Sequence, residues 1–310
     1  MRDLLSSYAI RGCPSCGAEP SAATPKVRSS PPGEERSFES LQQLWYGFFK
    51  DKAFFSYYRC GSCGMLYSPA YFSDEQLDIL YGSMPANMAE VEPGSLERTQ
   101  YGYFKAIPRD RIGDGDLLEI GPDIGVFSEY CVRAGNFKRA WMFEPNLRSH
   151  DELRHRLNAT DVHISTSLTD LSRVPDGSVA VAAMIHVLDH LVDPVPFLQE
   201  LRTKMRADGI AIIVTHNERS ILARILGARW PAYCLQHPHL FNPASMRAML
   251  REGGFQLSKT ERSMNYFPLP FLVKQLLLAA KLNLPQPRLP ALELPLKLGN
   301  FITLAQPSAR

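Results

Sequence analysis

Four of the six cysteines fall in two Cys-x-x-Cys pairs, Cys13-Pro-Ser-Cys16 and Cys60-Gly-Ser-Cys63, each followed by glycine. Thiolates at this spacing close on a tetrahedral ion, and two pairs supply all four ligands of a structural Zn2+ site with no open position. The alternatives are buried structural cysteines or a redox pair. A redox pair normally opens a helix beside a βαβ unit, and neither pair here does so. Cys131 and Cys234 are isolated and suit small buried hydrophobes.

A second constellation is the run Leu117-Leu118-Glu119-Ile120-Gly121-Pro122-Asp123-Ile124-Gly125. Gly121 permits a sharp exit from a strand, and Gly125 lets the following helix approach closely. Such a loop suits a dinucleotide or S-adenosylmethionine (SAM), or it is a tight βα turn without a ligand. The residue at the second glycine position is Asp123. A carboxylate there would repel a pyrophosphate, whereas SAM carries a sulfonium and an ammonium, so charge favours SAM. The acid Glu144 lies about 20 residues beyond the loop, at the end of the next strand, where an acid accepts ribose hydroxyl hydrogen bonds.

A third group could move protons. His186, Asp189 and His190 stand at i, i+3 and i+4 and share a face if their turn is helical. His190 is the nearest base for an acceptor, with Asp189 beside it. His239, in the aromatic stretch Trp230 to Phe241, is the second candidate. Each histidine also has a bland reading as a buried ring hydrogen-bonded to backbone. A His–Asp–His metal site lacks an evident further ligand.

These groups need elements to hold them. Residues 1–82 form one expected unit, a zinc-binding domain whose aromatic stretch Phe38 to Tyr58 supplies a small core. Its expected helix is Asp74–Tyr81. Residues 83–310 form the second. There, short apolar runs (Leu117–Ile120, Ala140–Phe143, Val162–Ile164, Val179–Met184, Ile210–Thr215, Phe255–Glu261) alternate with helical stretches (Phe127–Ala134, Ser149–Leu157, Pro196–Met205, Pro243–Glu252), the mark of a parallel sheet with crossover helices. A helix over Leu96–Arg111 leads in, and Phe301–Ala305 is a last strand. An apolar insert at about 267–297 contains the helical Phe271-Leu-Val-Lys-Gln-Leu-Leu-Leu-Ala-Ala-Lys-Leu282. It suits a lid or a homodimer surface first, ordinary core next, and a membrane-surface helix last.

The segment Pro175-Asp-Gly-Ser178 followed by VAVAAMIHVLDHLVDPVPFLQELRTKMRADGIAIIVTHN resembles the class I SAM-dependent methyltransferases in strand four, the H-V-L-E-H-L-x-D-P turn, a helix and strand five. With Glu119–Gly125 and Glu144 the resemblance spans roughly residues 97–262, and Gly299 to Ala305 is similar to the family's final strand. The N-terminal cysteine pairs resemble the zinc-binding domain found ahead of methyltransferases acting on sugars and natural products. This chain departs from the pattern at Asp123 (usually glycine), at Asp189 (usually glutamate) and at Val179-Ala180 (usually an aromatic and an acid). The resemblance implies an α/β, Rossmann-like seven-stranded sheet with helices on both faces. It places Glu119, Gly121, Asp123 and Gly125 against the methionine part of SAM and Glu144 on the ribose. Ser167 and Leu168 would flank adenine, and Ile185 and His186 would form the cofactor floor.

Composition narrows the acceptor. The chain has 310 residues and a formal net charge of +2, with 45% hydrophobic residues. That balance lacks the basic stripe of a nucleic-acid binder. The resemblance then implies a small-molecule acceptor (sugar nucleotide, glycan or natural-product scaffold). The alternatives are RNA, stacked on aromatics of the first unit, and a non-catalytic SAM-binding role. No run reaches the roughly 18 apolar residues of a membrane span, and the N-terminus lacks a signal-peptide pattern. The expected location is cytoplasmic.

Overall fold

The computed structural model describes residues 7–45, 53–82, 93–279, 290 and 292–308. Its centre is a seven-stranded sheet of β1 (Gly115–Ile120), β2 (Phe137–Phe143), β3 (Asp161–Ser165), β4 (Val179–Ile185), β5 (Met205–His216), β6 (Phe255–Arg262) and β7 (Asn300–Pro307). The spatial order is β6-β7-β5-β4-β1-β2-β3. Strands β1 to β5 pair in parallel. β7 inserts antiparallel between β5 and β6. This is the expected Rossmann-like methyltransferase sheet.

Every residue of β4 is buried, as a central parallel strand covered on both faces requires. Strand periodicity sends Leu118, Ala182 and Ile213 to one apolar cluster and Leu117, Val181 and Ile212 to another, so successive residues feed opposite faces. The covering helices are α1 (Val126–Ala134), α2 (His150–Arg156), α3 (Pro194–Lys204) and α4 (Pro243–Glu252). Helix α4 starts where the sequence punctuates it. The Asn242 side chain accepts from the Ser245 amide, Ser245 returns the bond, and Pro243 opens the first turn.

The lead-in helix is Pro93–Phe104, shorter than the Leu96–Arg111 expected, with a separate turn at Arg109–Arg111. Pro108 explains the stop, because it pushes the residue before it out of the helical region. In the insert, Leu269–Ala279 is helical as expected. Asn265–Pro268 and Glu293–Leu296 pair as an antiparallel hairpin that the sequence reading missed. Glu293 ties this hairpin to the lead-in helix through Ser95 at 2.8 Å and Arg98 at 2.8 Å. The remainder of the insert, 280–289, lies outside the described residues. No helix among them is long and apolar enough to cross a membrane.

The N-terminal lobe is a small sheet of Ala23–Val27, Tyr57–Cys60 and Leu66–Tyr67. Its fourth strand, His239–Leu240, comes from the far end of the chain. The core around it is aromatic: Trp45, Phe55, Tyr71 and Phe72 are at most 2% exposed. Arg11 stitches the lobe to the larger unit by donating to the carbonyls of Ser68 (3.1 Å), Val192 (2.9 Å) and Pro238 (3.0 Å). Arg59 reaches both carboxylate oxygens of Glu218 at 2.9 Å.

Candidate active site

β1, β2, β4 and β5 end at one edge of the sheet, the usual place for a ligand cleft in an open parallel sheet. Gly121 leaves β1 at φ 64, and a Cβ there would lie 2.7 Å from Val187 Cγ2. Gly125 caps α1 at φ 80, and a Cβ there would meet Leu153 Cδ2 at 2.7 Å. Both glycines are therefore required by space as well as by conformation. Asp123, between them, holds φ 52 without being glycine, a strain that persists only where surroundings enforce it.

Three carboxylates crowd this loop. Glu119 is 2% exposed and accepts a short hydrogen bond from Ser128 Oγ. Burial raises its pKa to about 8, against the Ser128 bond. Glu144 is buried at the end of β2. Its Oε2 accepts from the Asp123 amide (2.9 Å) and its Oε1 from the Asn146 amide (2.7 Å). Burial pushes its carboxyl up and the two amide bonds pull it down. Asp123 Oδ1 accepts from Ser149 Oγ at 3.2 Å, while its buried Oδ2 has no partner. Burial raises Asp123 as well. On the rim, Ser167 Oγ accepts the Asp170 amide at 3.1 Å, and Leu168 packs against the main core. The sheet thus brings Glu119, Gly121, Asp123, Gly125, Glu144, Ile185 and His186 to one end.

The other side of the cleft is built on Asp189, which is 0% exposed. His216, the last residue of β5, sets its Nδ1 2.8 Å from Asp189 Oδ2. Burial would raise this carboxyl, but the His216 bond and the surrounding imidazoles hold it well below the usual range. Burial lowers His186 and His190 to about 3 each, helped by His216 and His237 respectively. Both rings are therefore neutral bases at physiological pH. His237 lies 3.3 Å from Cys234 Sγ through Nδ1. Burial opposes its charge, yet the Cys234 thiolate raises it to about 10. His239 is fully buried, with Nε2 3.0 Å from the Leu188 carbonyl, so it sits behind the turn rather than in the cleft. Trp230 and Tyr233 pack as core.

His216, Ser128 and Ser149 join these clusters although the sequence reading named none of them. His216 could have been suspected from its place at the carboxyl end of an expected strand. The two serines carry no local signal, since helix faces determine their contacts.

The four paired cysteines meet in the N-terminal lobe. Cys13 and Cys63 sulfurs are 3.5 Å apart and those of Cys16 and Cys60 are 3.7 Å apart, with all four within 4.8 Å of one another. The two knuckles share one backbone design. Gly17 donates to the Cys13 carbonyl (2.8 Å) and Gly64 to that of Cys60 (3.0 Å), at φ 70 and 75. The hydrogen bond with Cys13 pulls the Cys63 thiol down, against burial.

Residues 97–260 match the family described as the methyltransferase domain. No curated protein matches the chain. Among solved structures, a chain of the Haloferax volcanii complex of the Trm112 methyltransferase activator with a methyltransferase superposes with TM-score 0.50 and 12% identity, covering 70% of this chain and 93% of that one. A Listeria monocytogenes SAM-dependent methyltransferase gives TM-score 0.48 and 12% identity, over 70% and 100% of the two chains. A Thermotoga maritima SAM-dependent methyltransferase gives 0.45 and 16%, over 69% and 89%. The family match takes in more than half of the 310 residues, over the sheet and cleft just described: the chain belongs to the class I SAM-dependent methyltransferases.

Proposed function

We propose that this enzyme methylates a small molecule, of the sugar-nucleotide, glycan or natural-product kind, and that residues 1–82 act as a zinc-binding lobe walling the acceptor side of residues 83–310. The observation that favours a small acceptor over RNA is where the aromatics among the described residues lie; Tyr46, Phe48 and Phe49 fall outside them. Base stacking needs exposed rings, yet Trp45, Phe54, Phe55, Tyr57, Tyr71 and Phe72 are all at most 2% exposed. They pack on one another and on Tyr233.

The residues present fit SAM. Glu119, Asp123 and Glu144 are acids in a pocket whose other groups are hydroxyls, amides and His150, and Asp123 Oδ2 has no partner. A cationic ligand supplies the missing countercharge. Each Glu144 oxygen accepts one amide and keeps a lone pair for a ribose hydroxyl. Gly121 and Gly125 let Val187 and Leu153 pack against the loop that would hold the ligand. Ser167 and Leu168 flank adenine in this reading, and Ile185 and His186 floor the site. When bound, SAM supplies a methyl already activated by its sulfonium. The protein then has to align the acceptor and exclude water. We assign the acceptor's proton to His190, a half-buried neutral imidazole beside ionised Asp189. His239 fixes the turn through Leu188 instead.

The cysteine spacing also fits zinc. A tetrahedron with Zn–S near 2.3 Å has edges of roughly 3.8 Å, and the measured pairs are 3.5 and 3.7 Å. Calorimetric titration with SAM tests the cofactor reading. Micromolar binding is expected, weakened about tenfold or more (~1.4 kcal/mol) in Glu144→Ala. No binding by folded wild type would overturn it. Screening acceptor pools with methyl-labelled SAM then tests the acceptor class; turnover confined to RNA would overturn the small-molecule reading.

A further inference from the structure

The histidines around Asp189 are more numerous than a single general base needs. His186 closes β4 and His216 closes β5, and these strands are neighbours: Ile185 stands opposite Val214, and the His186 amide donates to the Val214 carbonyl at 2.8 Å. Asp189 rises from the turn between them. One ligand atom of each of the three lies within 4.8 Å of the others.

Two of these side chains carry a buried polar atom without a partner. Asp189 is 0% exposed and its Oδ1 accepts nothing, and the same is true of the buried Nδ1 of His186. An orphaned carboxylate oxygen at full burial costs stability unless something outside the chain answers it. His186 also holds φ 55, a left-handed backbone that a histidine adopts at a cost. Its Nε2 lies 3.3 Å from the Asn300 side-chain amide. His216 Nδ1 and Asp189 Oδ2 are 2.8 Å apart. Ligands on a tetrahedral ion held at 2.0–2.2 Å stand roughly 3.4 Å apart, so this hydrogen-bonded pair opens by about half an ångström to take one.

We infer that His186, Asp189 and His216 form a second metal site, distinct from the four cysteines, for a first-row divalent ion such as Zn2+, Fe2+ or Co2+. Two imidazoles and one carboxylate leave open positions on such an ion, and imidazole selects against Mg2+ and Ca2+. Both neighbouring strand ends point at the cleft, so an open position faces the acceptor. A hydroxyl held there would lose its proton to His190. The oxygen would then take the methyl as the sulfonium–carbon bond breaks, leaving the uncharged thioether product. An ion of this kind accordingly predicts an oxygen acceptor. Its use in catalysis rests on the methyl-transfer reading above, whereas binding of the ion does not.

A rival grouping shares Asp189 with His190 and His237. His237 disfavours it. Its Nδ1 is held by the Ala232 carbonyl at 2.7 Å and by Cys234 at 3.3 Å. His216 keeps its side chain 25% exposed, which gives an ion a way in.

The test is titration of metal-free full-length protein with Co2+, read by absorption and by metal content after gel filtration. Thiolate sites give an intense charge-transfer band and nitrogen–oxygen sites only weak d–d bands, so the two sites report separately. Two ions per chain are expected. His216→Gln and Asp189→Asn should each lose one ion and the weak added d–d absorption of the second site, and keep the charge-transfer band. If Asp189→Asn does not fold, His216→Gln carries the test, because its side chain is partly exposed. One ion per chain in wild type, or two ions retained in His216→Gln, would overturn the site. SAM titration of His216→Gln is run alongside, and loss of SAM binding in wild type would sink the cofactor reading without touching the cobalt result.

Discussion

The cofactor loop and the histidine cluster adjoin at Ile185–His186, and they bury their carboxylates in opposite ways. Glu119, Asp123 and Glu144 are met by hydroxyls and backbone amides, and burial raises all three. Asp189 is met by imidazoles and stays ionised despite full burial. One half of the cleft is therefore short of positive charge until a ligand brings it. In the other half imidazoles offset the charge of Asp189, although its Oδ1 has no partner. In the function proposed above, binding and proton transfer fall to these two electrostatic environments along one sheet edge.

Disturbing the cysteine cluster should produce the largest effect and separate the two halves. Cys60→Ser, or chelation of zinc-loaded protein, is expected to cost several kcal/mol and lower the thermal midpoint by about 10 °C. Trp230 fluorescence should shift because its loop packs on the lobe, while SAM affinity should stay within about threefold. An equal loss on both sides would break the division. Gly125→Ala strikes the cofactor half. The side chain would clash with Leu153 and hold an unfavourable left-handed backbone, a loss of about 1–2 kcal/mol in unfolding free energy, with weaker SAM binding.

Glu119 sharpens the comparison through pH. Its folded pKa of about 8 lies above the ordinary 4.5. Its stabilising contribution is thus complete below 4.5 and is lost as pH rises to about 8. Glu119→Gln should abolish that loss and melt higher than wild type near neutral pH, while binding SAM more weakly. Below pH 8, wild type should release a proton as the cation binds, measurable by calorimetry in buffers of different ionisation enthalpy. Ser149→Ala should have the smallest effect. It removes one 3.2 Å bond to Asp123, and SAM affinity should change by less than about threefold (~0.6 kcal/mol).

Much of this was legible in the sequence, for identifiable reasons. Buried parallel strands are continuous apolar runs, so β1 to β5 announce themselves. Glycines and the Glu144 spacing are local properties of one βα turn. The cysteine pairs carry their geometry in four residues each. What escaped depends on distant packing. His239–Leu240 is too short for any periodicity to mark it as a strand. The hairpin Asn265–Pro268 with Glu293–Leu296 closes across a long separation. His216 meets Asp189 only because β4 and β5 are neighbours. That His239 is buried against the Leu188 carbonyl was also invisible, since residues 51 apart in sequence make that contact.

The strand His239–Leu240 has a bearing on how this protein can be taken apart. It completes the N-terminal sheet against Leu66–Tyr67, and the carbonyls of Leu235 and His237 anchor Tyr71 and Tyr57 at 2.6 Å each. A core cut free at residue 93 would leave that segment without partners, with its apolar face bare. Chimeras that exchange the N-terminal lobe between relatives should therefore fold only when residues 230–241 travel with it. Lobe and loop form one exchangeable cassette written in two distant pieces of sequence.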